Sequence, residues 1–156
     1  MATPRKLSEA CLPARYAWAQ ELPWIPSGTA GKSSKPLRFL PGNRGFVELL
    51  RMEPGVLMPL HRHTGEIHAY NLAGSRKLCS GEIIGPGDYV YEPVGNVDWW
   101  RIVGEDTMIA LVVVMGTVEF LGPGNSVRYT ASANTQLQAY RDYCSQHGID
   151  ALDLVG

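Results

Sequence analysis

His61-Arg62-His63-Thr64-Gly65-Glu66-Ile67-His68 holds three of the four histidines of the chain, and its reading decides the rest. Residues i and i+2 of a β-strand project from one face, so an extended His61-Arg62-His63 brings both imidazoles to one point. The preceding Met52-Glu53-Pro54-Gly55 is turn chemistry rather than helix chemistry, which favours a strand entering from a tight turn. Neutral imidazole is a ready ligand for first-row divalent ions, and the pair is read as two ligands of one metal. A bare His-x-His is more often an ordinary pair of hydrogen-bonded strand residues; the spacing around this one favours a site.

Outward from that stretch, short apolar runs alternate with Gly and Pro turns, the signature of an all-β domain. The expected strands are Leu37–Leu40, Gly45–Met52, Val56–His63, Ile67–Leu72, Arg76–Cys79, Gly81–Ile84, Asp88–Glu92, Trp99–Val103, Thr107–Met115 and Thr117–Leu121. Pro54-Gly55, Gly85-Pro86-Gly87-Asp88, Pro93-Val94-Gly95-Asn96 and Gly122-Pro123-Gly124-Asn125 supply the turns. Many short, evenly spaced strands make a sandwich or barrel, here expected over residues 36–131. Residues 1–35, with prolines at 4, 13, 23 and 26, read as an irregular arm that carries no part of the metal site. Gly28-x-x-Gly31-Lys32-Ser33 within it lacks the spacing and the strand–helix context of a phosphate loop and reads as a polar surface loop. Leu137, Tyr140 and Cys144 follow helical spacing, so one C-terminal helix is expected over 134–147, capped by Asn134 and stopped at Gly148.

A chain of 156 residues fits one domain with a real core. Its 14 basic and 15 acidic residues give a net charge of −1, so no basic field draws in nucleic acid or an anionic membrane surface. Cys11, Cys79 and Cys144 are far apart and form no Cys-x-x-Cys pair, which argues for free thiols rather than a disulfide framework or a zinc knuckle. The N-terminus shows no apolar leader and the most apolar stretch, Met108–Met115, is too short for a membrane span, so a cytoplasmic protein is expected.

Gly55, the His61-x-His63 pair, His68 and Gly74, followed by Gly85-Pro86-Gly87-Asp88 through Pro93-Val94-Gly95, resemble the two motifs of the cupins over about residues 45–120. The run His-Arg-His-Thr-Gly-x-x-His, the Tyr91-Glu92-Pro93 approach to the second motif and the C-terminal helix are similar to the 2,4'-dihydroxyacetophenone dioxygenase family. The resemblance implies a jelly-roll β-barrel, often dimeric, holding a non-haem Fe(II) through histidines. It also implies insertion of dioxygen into an aryl hydroxyketone or β-diketone with cleavage of a carbon–carbon bond. Zinc, manganese and nickel are alternative ions.

Two positions depart from the common pattern. His68 stands where cupins often have a glutamate, as in the resembling dioxygenases, and Asp98 stands where those dioxygenases have a histidine. Replacing an imidazole by a carboxylate lowers the net charge of a divalent site from about +2 to about +1. Two histidines and one carboxylate are nevertheless an established Fe(II) arrangement. The expected ligands are therefore His61, His63 and Asp98, with His68 either a further ligand or a neighbour that orients one. Asp98 is alternatively the mark of a relative without metal. Glu66 and His147 are read as a solvated loop charge and a helix-end cation. Tyr70 and Trp100 are the expected walls of a substrate pocket, with Trp100 and Ile102 sharing the inward face of Asp98 and Trp99 facing out. A dioxygenase is the first reading, and a non-catalytic metal- or small-molecule-binding module the second.

Overall fold

The structure, a computed structural model, describes residues 14–155. Cys11, Pro4, Pro13 and the first thirteen residues of the expected arm lie outside the described residues.

Glycines with positive φ break the chain into short extended runs at the expected turns, Gly55 (φ 79°), Gly87 (φ 87°), Gly95 (φ 84°) and Gly124 (φ 67°) among them. Twelve strands result among the described residues: β1 (Ile25–Pro26), β2 (Lys32–Leu40), β3 (Gly45–Met52), β4 (Leu57–His63), β5 (Ile67–Ala73), β6 (Ser75–Leu78), β7 (Ile83–Ile84), β8 (Tyr89–Glu92), β9 (Val97–Val103), β10 (Met108–Met115), β11 (Val118–Leu121) and β12 (Val127–Ala131). One helix, α1 (Ala133–Gln146), follows them. The strands form two six-stranded sheets, ordered β1-β2-β3-β10-β5-β8 and β12-β11-β4-β9-β6-β7. Every strand pairing is antiparallel, and the two sheets face each other as a jelly roll.

The barrel starts earlier than its apolar pattern suggests. Lys32-Ser33-Ser34-Lys35-Pro36 is polar and contains a proline, yet it pairs with β3 as the first half of β2. Pro36 is tolerated because it sits where the β2–β3 register shifts, next to an edge that β1 covers for only two residues. β12, with Arg128 and Thr130, hides from an apolar scan for the same reason: it is an edge strand.

The helix starts one residue ahead of its expected position. Ser132, not Asn134, is its N-cap: the Thr135 amide donates to Ser132 Oγ at 3.2 Å, while the Asn134 amide donates to Asn43 Oδ1 at 2.9 Å. Gly148 ends the helix as expected, with φ 63° and the Ile149 amide donating to the Cys144 carbonyl at 2.9 Å.

Two apolar clusters hold the sheets together. One gathers Phe39, Phe46, Ile67, Val114 and Val118 under Tyr140 and Cys144 of α1; the other gathers Leu50, Met52, Met58, Trp100, Ile102 and Met108. Each fully buried Leu, Met or Phe contributes about 1.5–3 kcal/mol. The Leu152 amide donates to the Tyr140 hydroxyl at 2.9 Å and the Phe39 amide to the Leu154 carbonyl at 2.8 Å, which ties the C-terminal tail to the barrel. Val112 and Phe120 touch both clusters, and a cavity opens between them.

Candidate metal centre

β4 turns its histidines inward because of a bulge. Its register against β9 shifts between Met58 and His61, so Met58, His61 and His63 are all buried although Met58 and His61 differ in parity. Pro59 sits in that bulge, where its missing N–H costs no ladder bond. Its carbonyl lies 2.7 Å from His61 Nδ1. A carbonyl only accepts, so Nδ1 carries the proton and Nε2 keeps its lone pair free, the usual way a second contact fixes a metal-binding tautomer.

The Pro93–Asn96 turn brings the third donor. The Gly95 amide donates to the His63 carbonyl at 2.7 Å, the His63 amide to the Asn96 carbonyl at 2.9 Å, and Asn96 Nδ2 to Glu92 Oε1 at 3.1 Å. One turn therefore fixes both His63 at the end of β4 and Glu92 at the end of β8, on opposite sheets. Glu92 Oε2 lies 3.3 Å from His63 Nε2. One donor atom from each of His61, His63 and Glu92 lies within 4.8 Å of the others, and all three residues are buried.

Burial pushes the His61 imidazole below its ordinary value, outweighing the Pro59 contact and the nearby carboxylates. Burial alone would raise the Glu92 carboxyl, but contact with His63 and the charges of His63, His61 and Arg76 hold it below the usual range. Ligation requires a free imidazole lone pair and an ionised carboxylate, and the downward directions at His61 and Glu92 favour those states. His63 Nδ1 is buried without a partner, and the buried Nε2 meets the Glu92 carboxylate without an aligned hydrogen bond. Orphaned buried nitrogens are costly, and an ion between the three side chains satisfies them. The donor set suits a divalent first-row ion with open positions.

The cavity beside these residues is about 360 Å³ and largely apolar, walled by Leu50, Met58, Trp100, Val112 and Phe120. The Arg76 guanidinium lies over the Trp100 ring at 4.5 Å. Arg76 and Trp100 are both buried. Residues 25–28, Lys32 and Ser34 also line it, so the segment read as an irregular arm supplies cavity wall, though among its described residues no donor of the cluster.

The sequence-based site residues divide between inside and outside. Trp100 lines the cavity with Asp98 and Ile102 buried on the same face, and Trp99 faces out. Asp98 pairs with His61 across β4 and β9, and its Oδ1 is buried without a partner, but it stands outside the three-residue cluster. His68 and Tyr70 are corrections. β5 buries Ile67, Ala69 and Asn71, so His68 and Tyr70 lie on the outer face. His68 Nδ1 is 2.6 Å from the Tyr89 hydroxyl and its Nε2 3.4 Å from Glu66 Oε1. Glu92 is the member of the candidate cluster that sequence reasoning missed. Its signal is the register: Ile67 is buried and pairs with Glu92, so both face in.

The sequence model of the ChrR cupin-like domain matches residues 14–118. This chain belongs to that cupin family. Similar solved structures include an RmlC-like cupin protein from Ralstonia eutropha JMP134, 24% identical, covering 96% of this chain and 98% of that one with a TM-score of 0.87. A second protein from the same organism, of unknown function with a cupin-like fold, is 19% identical, with coverages of 93% and 96% and a TM-score of 0.80. An acetylacetone dioxygenase from Acinetobacter johnsonii is 13% identical, with coverages of 91% and 99% and a TM-score of 0.73. No curated protein matches the chain. No helix among the described residues is long and apolar enough to cross a membrane.

Proposed function

We propose that this cupin is a non-haem Fe(II) dioxygenase that cleaves a carbon–carbon bond in a small ketone of the β-diketone or aryl hydroxyketone type. The observation that carries the reading is the buried His61, His63 and Glu92 cluster opening on an apolar cavity. The acetylacetone dioxygenase of the same fold agrees with it, as do the His-Arg-His-Thr-Gly-x-x-His run and its likeness to the 2,4'-dihydroxyacetophenone dioxygenases. Ferrous iron as the ion, dioxygen as co-substrate, homodimeric assembly and a cytoplasmic setting belong to the same proposal.

His61, His63 and Glu92 would hold the ion, which supplies the redox chemistry between dioxygen and an electron-rich ketone. Pro59 holds the His61 tautomer, and the turn at Gly95 and Asn96 holds His63 and Glu92 in place. Trp100, Leu50 and Phe120 keep water from the reacting end of the substrate. The Arg76 charge faces Glu92 and Asp98 and offsets two carboxylates crowded into one apolar site.

Oxygen consumption tests the proposal. Protein loaded anaerobically with Fe(II) should take up dioxygen when given acetylacetone or 2-hydroxyacetophenone, with one ketone consumed per dioxygen. No uptake with either ketone, from protein shown to hold stoichiometric iron, would make the chain a binding module instead.

A further inference from the structure

The wall of the cavity built by β2 and β3 carries two ionisable side chains that the metal reading does not use. Lys32 and Glu48 both line it, alongside the apolar Phe46, Leu50, Met58, Val112 and Phe120. Lys32 starts on β2 of one sheet and reaches the other: Nζ lies 3.7 Å from Met58 Sδ on β4 and 5.1 Å from the Phe120 ring centre on β11. An ammonium has three N–H donors, and the hydrogen-bond acceptor it finds here is a thioether, one of the weakest a protein offers. Both are half-buried, and packing does not account for such a pair, because well-packed apolar residues in place of charges drawn from water are often neutral or stabilising.

We propose that Lys32 and Glu48 form a carboxylate-binding pole, so that the cavity takes an acidic small molecule whose carboxylate accepts from the Lys32 ammonium and lies against the Glu48 carboxyl group. That the other end of such a molecule reaches the metal donors rests on the function proposed above. The pole itself does not, and it is testable in metal-free protein.

Charge supports an acid over a neutral ligand. Burial lowers Lys32 from its ordinary value against the opposing pull of Glu48. Burial raises Glu48 to about 7, against the Lys32 charge and the neighbouring Ser34 and Gln136 side chains. A Glu48 that is neutral below that value leaves the Lys32 charge without a counter-ion, and a ligand carboxylate provides one. Glu48 faces Lys32 and Ser34 from β2 and Gln136 from α1, and its strand partners Pro36 and Val112 carry no charge. The other titratable groups on the cavity wall are His61, His63, Arg76, Glu92 and Tyr129.

The sign of the pH dependence follows. The ligand is ionised throughout the neutral range, whereas Glu48 must hold its proton to donate. Affinity should therefore fall as pH rises through about 7, by up to about tenfold per unit above it.

The test is calorimetric binding of 4-phenylbutanoate and of uncharged 4-phenylbutan-1-ol to metal-free and zinc-loaded protein between about pH 6 and pH 8. The metal-free protein should bind the acid about tenfold or more tightly than the alcohol at the acidic end. Lys32→Met should abolish that preference, while Glu48→Gln, which keeps a neutral donor, should retain it and flatten its pH dependence. The alcohol's affinity, set by the apolar wall, reports whether each variant still folds. Equal affinity for acid and alcohol, a pH-flat parent, or a Lys32→Met protein that still prefers the acid would overturn the pole. So would a Glu48→Gln protein that binds the acid as poorly as Lys32→Met. Any of these with iron content and oxygen uptake intact would leave the dioxygenase proposal standing, and an intact pole without oxygen uptake would do the reverse.

Discussion

β4 and β5 are consecutive, joined by Thr64-Gly65-Glu66, and both carry histidine, yet one strand points its imidazoles into the cavity and the other points its imidazole to the outside. In β4 the bulge at Pro59 sets His61 and His63 inward. The same parity then continues through the connection, with Ile67, Ala69 and Asn71 buried after His63. His68 is one residue out of step and lands beside Tyr89 and Tyr91, at ring separations of 6.1 and 5.5 Å. A strand reverses its faces with each single residue, so a histidine five positions from the inward-facing His63 has the wrong sign for the cavity.

The largest effect expected from that difference is on metal content. His61→Ala or His63→Ala should leave protein with far less than the parent's metal after purification, and the double variant none, whereas His68→Ala should match the parent. Elemental analysis of proteins purified side by side decides it. Stoichiometric metal in the His61/His63 double variant would remove the site altogether, and its loss from His68→Ala would put the outer face into the ligand set.

The next comparison is between the two inward carboxylates. Glu92 belongs to the cluster, with Oε2 3.3 Å from His63, while Asp98 stands beside it across from His61. Glu92→Ala should weaken zinc binding by well over about 100-fold, and Asp98→Ala by about 10- to 100-fold, the range of a residue that tunes a site without ligating. Competition with a chelating indicator measures both. The reverse order would hand the carboxylate position to Asp98.

How much of this was legible in the sequence depended on whether a residue's face could be counted. The all-β sandwich or barrel, the turns and the His61/His63 pair were legible because each rests on local chemistry, Gly and Pro punctuation and a two-residue spacing, whereas the jelly roll itself came from the resemblance to the cupin motifs. Glu92 was hidden because Tyr89-Val90-Tyr91-Glu92 presents its aromatics on alternate residues, and aromatics usually mark the buried face. Here Tyr89 and Tyr91 are exposed at 57% and 51%, and the carboxylate is inside. Lys32 and Glu48 were hidden for a different reason. They belong to β2 and β3, and only the β2–β3 register and the opposite sheet's Met58 and Phe120 bring them to the cavity.

The smallest effect expected is at Tyr70, which shares the outer face with His68. The ring is 46% exposed and its strand partner Tyr89 is more so, which leaves little packing to lose. Tyr70→Ala should change unfolding stability by no more than about 0.5 kcal/mol, the range of a surface substitution. It should also leave the affinity for zinc and for 4-phenylbutanoate unchanged, because β5 presents Ala69, not Tyr70, to the cavity. Urea unfolding and the two titrations give all three numbers. A loss of several kcal/mol with ligand binding preserved would mean that the outer face of β5 is covered in solution, as the proposed homodimer could cover it. A loss of ligand binding at unchanged stability would mean that Tyr70 reaches the cavity after all, and that the face assignment of β5, on which the exclusion of His68 rests, is wrong.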